Sequence, residues 1–434
     1  MAEMHNLVRR QKDISNHKNS STKDLPKLER SSSDESNQQV VKKKIFQERI
    51  SLLDDYHASS NLNKSDYRGF YTAGIIFGFF FLSVDPILRY LNQGEIFPLV
   101  FINSFKDDFF LCLGHWPLYY IYSYVALILQ KAIVKGFNQK IVSALQILSE
   151  LFLFAYSYFI IMNRNWGTTH ATFISFICCT HYFKLHSYKQ MNKQYRETKN
   201  PCYPANISLE NFTLYMWMPT LVYEHSFPRK DKVDYKYVVY KSSMAAFGIL
   251  FGYIVCCDYI IPYTSQGNKI YWFETLFRII FPFTILQMVL FWVVFENILN
   301  VFGELTRFGD RCFYQDWWNS TTFEEYNRKW NRPVHTFLYR HVYLECIENH
   351  KFSKKTAQII TFVFSAILHE WVFCLIFRTF KPIMTIFMLQ QIPLFAITKH
   401  MKDKTSGNYL FWFGMILGPA LIAVCYLRLD IPTI

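Results

Sequence analysis

The chain has 434 residues, 51% of them hydrophobic and 19% aromatic, with charged residues held to 18% and a formal net charge of +13. Charges run below the roughly 25% usual in soluble domains, and 43 Phe gathered in long runs exceed what one soluble core needs, which excludes a large soluble helical protein. A basic balance can mark nucleic-acid binding, but here the basic residues lie in loops between apolar runs, so the charge reads as membrane topology and no nucleic acid is expected.

Residues 1–66 are rich in Ser, Asn, Lys and Glu and show no apolar periodicity, which predicts a disordered cytosolic tail. No short apolar core follows the initial Met, so a cleaved signal peptide is not expected. Within the tail, Lys42 to Tyr56 sets Ile45, Ile50, Leu52 and Leu53 among charges, the pattern of a short amphipathic helix over 42–56. From 67 to 434 the chain reads as one transmembrane domain.

Nine apolar runs of spanning length follow, near 69–91, 109–133, 141–162, 167–183, 238–261, 272–300, 356–377, 382–399 and 407–427. About 20 apolar residues cross a hydrocarbon core of roughly 30 Å. The expected fold is therefore all-α, a polytopic bundle of about nine transmembrane helices. With the tail in the cytosol, the basic residues concentrate in the cytosolic loops, as the positive-inside rule requires, and the C-terminus becomes lumenal. Two cytosolic loops, 184–237 and 301–355, are too aromatic for solvated linkers and are expected to hold short helices shielded by the bundle. Ten cysteines show no zinc spacing and read as buried thiols.

Chemistry-bearing residues gather between 313 and 370. Phe313, Tyr314, Asp316, Trp317, Trp318 and Asn319 belong to FYQDWWN, and Trp330, Asn331 and His335 to WNRPVH. His369 and Glu370 lie in the middle of an apolar run, where an ionisable group costs about 2.5–3.5 kcal/mol on insertion scales. A neutral His at that depth has a nitrogen free to take a proton from an apolar substrate, which describes a general base. The Asn331 amide offers donors and an acceptor for a substrate hydroxyl or an oxyanion. With no candidate Ser or Cys nucleophile in a strained elbow, direct transfer is expected. No metal is expected: HExxH is absent, since Trp371, Val372 and Phe373 follow Glu370, and adjacent helix residues do not face each other.

FYQDWWN, WNRPVH and SAILHE (Ser365 to Glu370) together resemble the membrane-bound O-acyltransferase family from about residue 69 to the C-terminus. Within it, KLHSY (Lys184 to Tyr188), PTLVYEHSFPR and MLQQIPLFAITKHM are similar to the sterol O-acyltransferases, the fungal sterol-ester synthases above all. MLQQIPL is also close to the diacylglycerol enzymes, whereas Pro419 stands where those carry Gln. The resemblance implies a reaction chamber in the endoplasmic reticulum membrane, with fatty acyl-CoA and a sterol as substrates. It implies a homo-dimer or tetramer and no cofactor, acyl-CoA being a co-substrate. It makes His369 the catalytic base and Asn331 its positioning partner, and places Trp330, His335, Tyr343, Lys354 and Ser365 along the acyl-CoA path. Glu370 and Gln391 fall on the acyl-acceptor chamber. The alternatives are transfer to diacylglycerol and a non-catalytic sterol-binding or transport protein.

Overall fold

The computed structural model describes residues 46–98, 106–266 and 269–429. The first 45 residues of the expected tail, with Lys42 to Ile45 of its helix, lie outside them. Among the described residues there is no strand, only isolated bridges pairing Arg49 with Asp310 and Arg229 with Phe308. The bundle is built of α1 (Arg68–Gln93), α2 (Phe109–Val134), α3 (Gln139–Asn163), α4 (Thr168–Glu197), α5 (Leu209–Trp217), α6 (Tyr235–Tyr259) and α7 (Trp272–Phe291). Then come α8 (Phe323–Lys329), α9 (Arg332–Leu338), α10 (Lys354–Phe377), α11 (Ile383–Leu389), α12 (Gln391–Lys399) and α13 (Thr405–Leu429). Starts are set by short polar side chains that satisfy first-turn N–H groups. Asn138, Ser208, Asp234, Thr322, Asn331 and Ser353 each cap the helix that follows.

Among the described residues seven helices, rather than nine, are long and apolar enough to cross a membrane. The two others fail for different reasons. The run at 382–399 breaks at Gln390 into α11 and α12, each too short to span. α4 has 30 residues, about 45 Å of helix, but is too polar to qualify. It lies antiparallel to α3, with His186 Nδ1 3.0 Å from Glu150 on α3 and, near its start, Trp166 Nε1 donating to Asp108 beside α2 at 3.0 Å. Fourteen of its side chains are buried against protein, so its polar residues meet partners and not lipid. α1 is the opposite case: Phe70, Phe77, Phe79 and Phe80 are all more than 60% exposed, as suits a helix whose solvent is hydrocarbon.

Two aromatic cores organise the bundle. One joins α2, α3, α4 and α5 through Tyr119, Ile174, Tyr188, Phe212 and Tyr215. The other joins α7, the FYQDWWN loop, α8 and α13 through Phe291, Phe313, Trp317, Phe323 and Phe411. At α13 the approach is close enough to need glycine: a Cβ on Gly407 would stand 2.4 Å from the Thr321 carbonyl.

The described part of the expected tail is ordered and not helical. Residues 46–66 form an extended and turned strap in place of disorder, and the amphipathic helix is absent over 46–56. Arg49 N–H donates to Gly309 O at 3.0 Å and Arg311 N–H to Arg49 O at 2.9 Å. Ser51, Asp54 and Ser60 are fully buried. The strap is held by Phe46, Leu52 and Leu53 packed on the second core and by charge: Lys241, itself buried, reaches Glu296 at 2.7 Å, Asp55 at 3.1 Å and Asp54 at 3.8 Å.

Candidate active site

Ser353 caps α10 by accepting from Thr356 N–H at 3.2 Å, and His369 lies about 22 Å along the helix from Lys354. Its Nδ1 is 2.7 Å from the carbonyl oxygen of Ser365 one turn back. A carbonyl can only accept, so Nδ1 carries the proton and Nε2 keeps its lone pair. Protein crowds around the ring, yet the side chain is exposed. Ile367, 58% exposed, projects about 200° away around the helix.

Glu370 does not share that exposure. It is 5% exposed, accepts from Tyr426 O–H at 2.9 Å and from Thr385 N–H at 2.8 Å, and so ties α10 to α11 and α13. Adjacent helix residues diverge by about 100°, so Glu370, expected at the acceptor chamber, points away from His369.

Asn331 begins α9, and its Oδ1 accepts from Val334 N–H at 3.1 Å. That use leaves the Nδ2 donors available. No hydrogen bond joins Asn331 to His369 among the described residues, and it is their helices that meet. Val334 and Leu338 of α9 share an apolar cluster with Phe364 and Leu368 of α10, the residues flanking Ser365 and His369. Gln391 arrives from another direction, where Phe395 of α12 packs edge-on against Phe362 at 5.4 Å. Its Oε1 lies 3.5 Å from Asn327 Nδ2, at the limit of a hydrogen bond.

Two of the expected acyl-CoA residues, His335 and Tyr343, form with Tyr339, which was not expected, a ladder of near-parallel rings, 6.4 and 5.5 Å apart, with Tyr339 48% exposed. Burial first, then Arg328 and Arg332, hold the His335 pKa below its usual 6.5. Lys354 is exposed at the start of α10, and Ser365 acts through its carbonyl. Trp330 differs: its half-buried ring packs against Phe291 at 4.8 Å and Trp317 at 4.9 Å, bracing the second core.

FYQDWWN is the knot beneath this site. Phe313, Tyr314 and Trp317 are each 2% exposed. Tyr314 O–H donates to Glu296 at 2.7 Å and accepts from Leu53 N–H of the strap at 3.1 Å. The Trp318 carbonyl accepts from Asn408 and Trp412 of α13 at 3.0 and 3.1 Å. Asp316 pairs with Lys329 at 3.0 Å, and Asn319 is exposed. Sequence reasoning missed Glu296, although a carboxylate inside the apolar run 272–300 is the same signal that singled out Glu370. It also missed Lys241, and Ser187 with His341, whose pairing no spacing reveals.

The family model of the membrane-bound O-acyltransferases matches residues 125–428. A probable sterol O-acyltransferase 1 of Schizosaccharomyces pombe is 36% identical over 251 residues, 55% of this chain and 47% of that protein. Sterol O-acyltransferase 2 of Candida albicans is 38% identical over 239 residues, 52% of this chain and 39% of that protein. The chain thus spans less than half the length of these sterol relatives. Diacylglycerol O-acyltransferase 1 of Corylus americana is 30% identical over 397 residues, 80% of this chain and 73% of that protein.

Proposed function

This chain belongs to the membrane-bound O-acyltransferase family, and on that premise we propose that it transfers a long-chain fatty acyl group from acyl-CoA to the 3β-hydroxyl of a sterol. The observation that carries the reading is the His369 tautomer: Nδ1 is tied to Ser365 O, and Nε2 keeps its lone pair on an exposed side chain of a membrane helix, an exposure that fits a reaction chamber. Nε2 takes the hydroxyl proton as the sterol oxygen attacks the thioester carbonyl. The tetrahedral oxyanion then collapses, the C–S bond breaks, and the imidazolium returns the proton to the departing CoA thiolate. Asn331 Nδ2 orients the reacting groups. Keeping water from the chamber prevents hydrolysis of the thioester.

The basic loop 301–355 suits the phosphates of acyl-CoA, and the reading puts that loop in the cytosol and the enzyme in the endoplasmic reticulum membrane. A cytosolic N-terminus and a lumenal C-terminus then require α4 and the broken run 382–399 each to cross among protein, besides the seven apolar spans. The resemblance supports a homo-dimer or tetramer, which cross-linking in native membranes tests. A second reading, transfer to diacylglycerol, is favoured by the longer alignment to the Corylus americana protein. Expression in cells lacking their own neutral-lipid acyltransferases, fed labelled oleate, separates the two. Sterol ester reappears under the first reading and triacylglycerol under the second, and recovery of neither sinks both.

A further inference from the structure

The turn Tyr339–Tyr343 after α9 is wound as a π-helix, a geometry frequent at functional sites. Its residues have opposite fates. Tyr339 and Tyr343 stack in line with His335. Arg340 and His341 are tied inward. Arg340 Nη1 donates to Glu224 at 2.5 Å, and Tyr195 O–H donates to the same carboxylate at 2.7 Å. His341 is 7% exposed, and its Nε2 lies 2.7 Å from Oγ of Ser187 on α4, which is completely buried.

Ser187 sits between two partners. Its Oγ accepts from Tyr223 N–H at 2.8 Å, and the other hydrogen bond described for it runs to His341. A hydroxyl has one proton and two lone pairs, so Ser187 joins Tyr223 N–H to Nε2 whichever of the two, hydroxyl or imidazole, supplies the proton between them. Ser187 is too deeply buried to meet a substrate, so the pair is not a nucleophile with its base. Its consequence is mechanical: it clamps the π-turn to α4, and Phe337 against Phe183 at 4.5 Å clamps the turn before it.

We propose that His341 is a positioning residue for acyl-CoA: the Tyr223–Ser187–His341 relay holds the π-turn so that His335, Tyr339 and Tyr343 keep one stacked face toward the acyl-CoA path. This rests on the acyl-CoA reading above. The relay is also sensitive to acid. The ring of His186 on α4 stands 6.2 Å from His341 and is tied to Glu150 of α3, whose carboxylate also pairs with Lys189. On the turn itself, Arg340 is paired with Glu224 from the loop after α5. Burial first, then His186 and Arg340, hold the His341 pKa well below the usual 6.5. Once the ring is protonated, a buried positive charge stands beside Arg340 and His186, and their repulsion loosens the clamp.

The test uses the full chain in lipid nanodiscs. KM for oleoyl-CoA and kcat with sterol are measured with the affinity for CoA alone by calorimetry, from about pH 8 to about pH 5. His341→Phe and Ser187→Ala should each raise KM and weaken CoA binding about tenfold while kcat changes less than about twofold. His341→Gln presents an amide that accepts and cannot titrate; it should keep both constants and abolish the rise of KM in acid. Unchanged CoA affinity in His341→Phe, a loss confined to kcat, or an acid rise surviving in His341→Gln overturns the proposal. Should His341→Phe fail to fold, the His341→Gln profile decides. A wild-type protein that binds CoA but transfers nothing sinks the enzymatic reading alone, since CoA calorimetry on the same variants still judges the relay.

Discussion

Replacing His369 by Ala removes the imidazole proposed as the base, whose Nδ1 is tied to Ser365 O on an exposed side chain. General-base assistance is worth about 10²–10⁴ in rate, so His369→Ala should lose at least a hundredfold of labelled ester formation in membranes of matched protein content. Retention of a tenth of the wild-type rate would show that another group moves the proton. Glu370, one residue on, predicts a different phenotype. Its carboxylate holds Tyr426 and Thr385 in a buried setting, and losing charged hydrogen bonds of this kind costs about 3 kcal/mol. Glu370→Ala should lower the thermal midpoint in detergent while leaving KM for acyl-CoA in the surviving folded fraction unchanged. A large KM shift without loss of stability would return Glu370 to the chamber.

At the scale of elements, the strap over residues 46–66 is part of the folded bundle and carries a prediction of its own. Lys241 meets Glu296, Asp55 and Asp54, all at or near zero exposure except Asp55. Removing one member of a buried ion group strands the rest, at about 3–5 kcal/mol. Lys241→Met should therefore destabilise the protein strongly, and Lys241→Met combined with Glu296→Gln should recover part of the loss. Equal stability of the single and double variants would mean that the charges are independently solvated. The segment around α9 adds a pH dependence. His335 and His341 are both held below their usual pKa, so the unfolded chain binds more protons than the folded one as pH drops under about 6.5. Stability is then fully present above that value and declines as acid approaches the folded pKa values. A thermal midpoint unchanged from about pH 7 to about pH 5, in a protein where both histidines are intact, would contradict this sign.

For the whole molecule, sidedness is the measurable quantity. Asn319 begins an Asn-Ser-Thr sequon and is exposed, so a lumenal placement of the 301–355 loop would allow glycan attachment. The cytosolic placement predicts none, and a glycosidase-sensitive mass shift abolished by Asn319→Gln would reverse the topology. The sequon at Asn211 is a poorer reporter because its amide is engaged by His225 and Tyr223.

Most of the spans and the chemistry-bearing residues were legible in the sequence, because a bilayer imposes one requirement on every helix it touches. Apolar runs of spanning length, with His369 standing out inside one of them, follow from transfer energies that belong to residues and not to folds. What only the tertiary structure decided is which solvent each face meets. α4 is polar yet long and buried, because protein stands where lipid would be. The strap is charged yet ordered, because Lys241 waits for it. Glu370 turns away from its neighbour His369 because successive helix positions diverge. Hydropathy averages over all faces of a helix, whereas burial, ion pairing and the direction of a proton are settled face by face, by whatever packs against them.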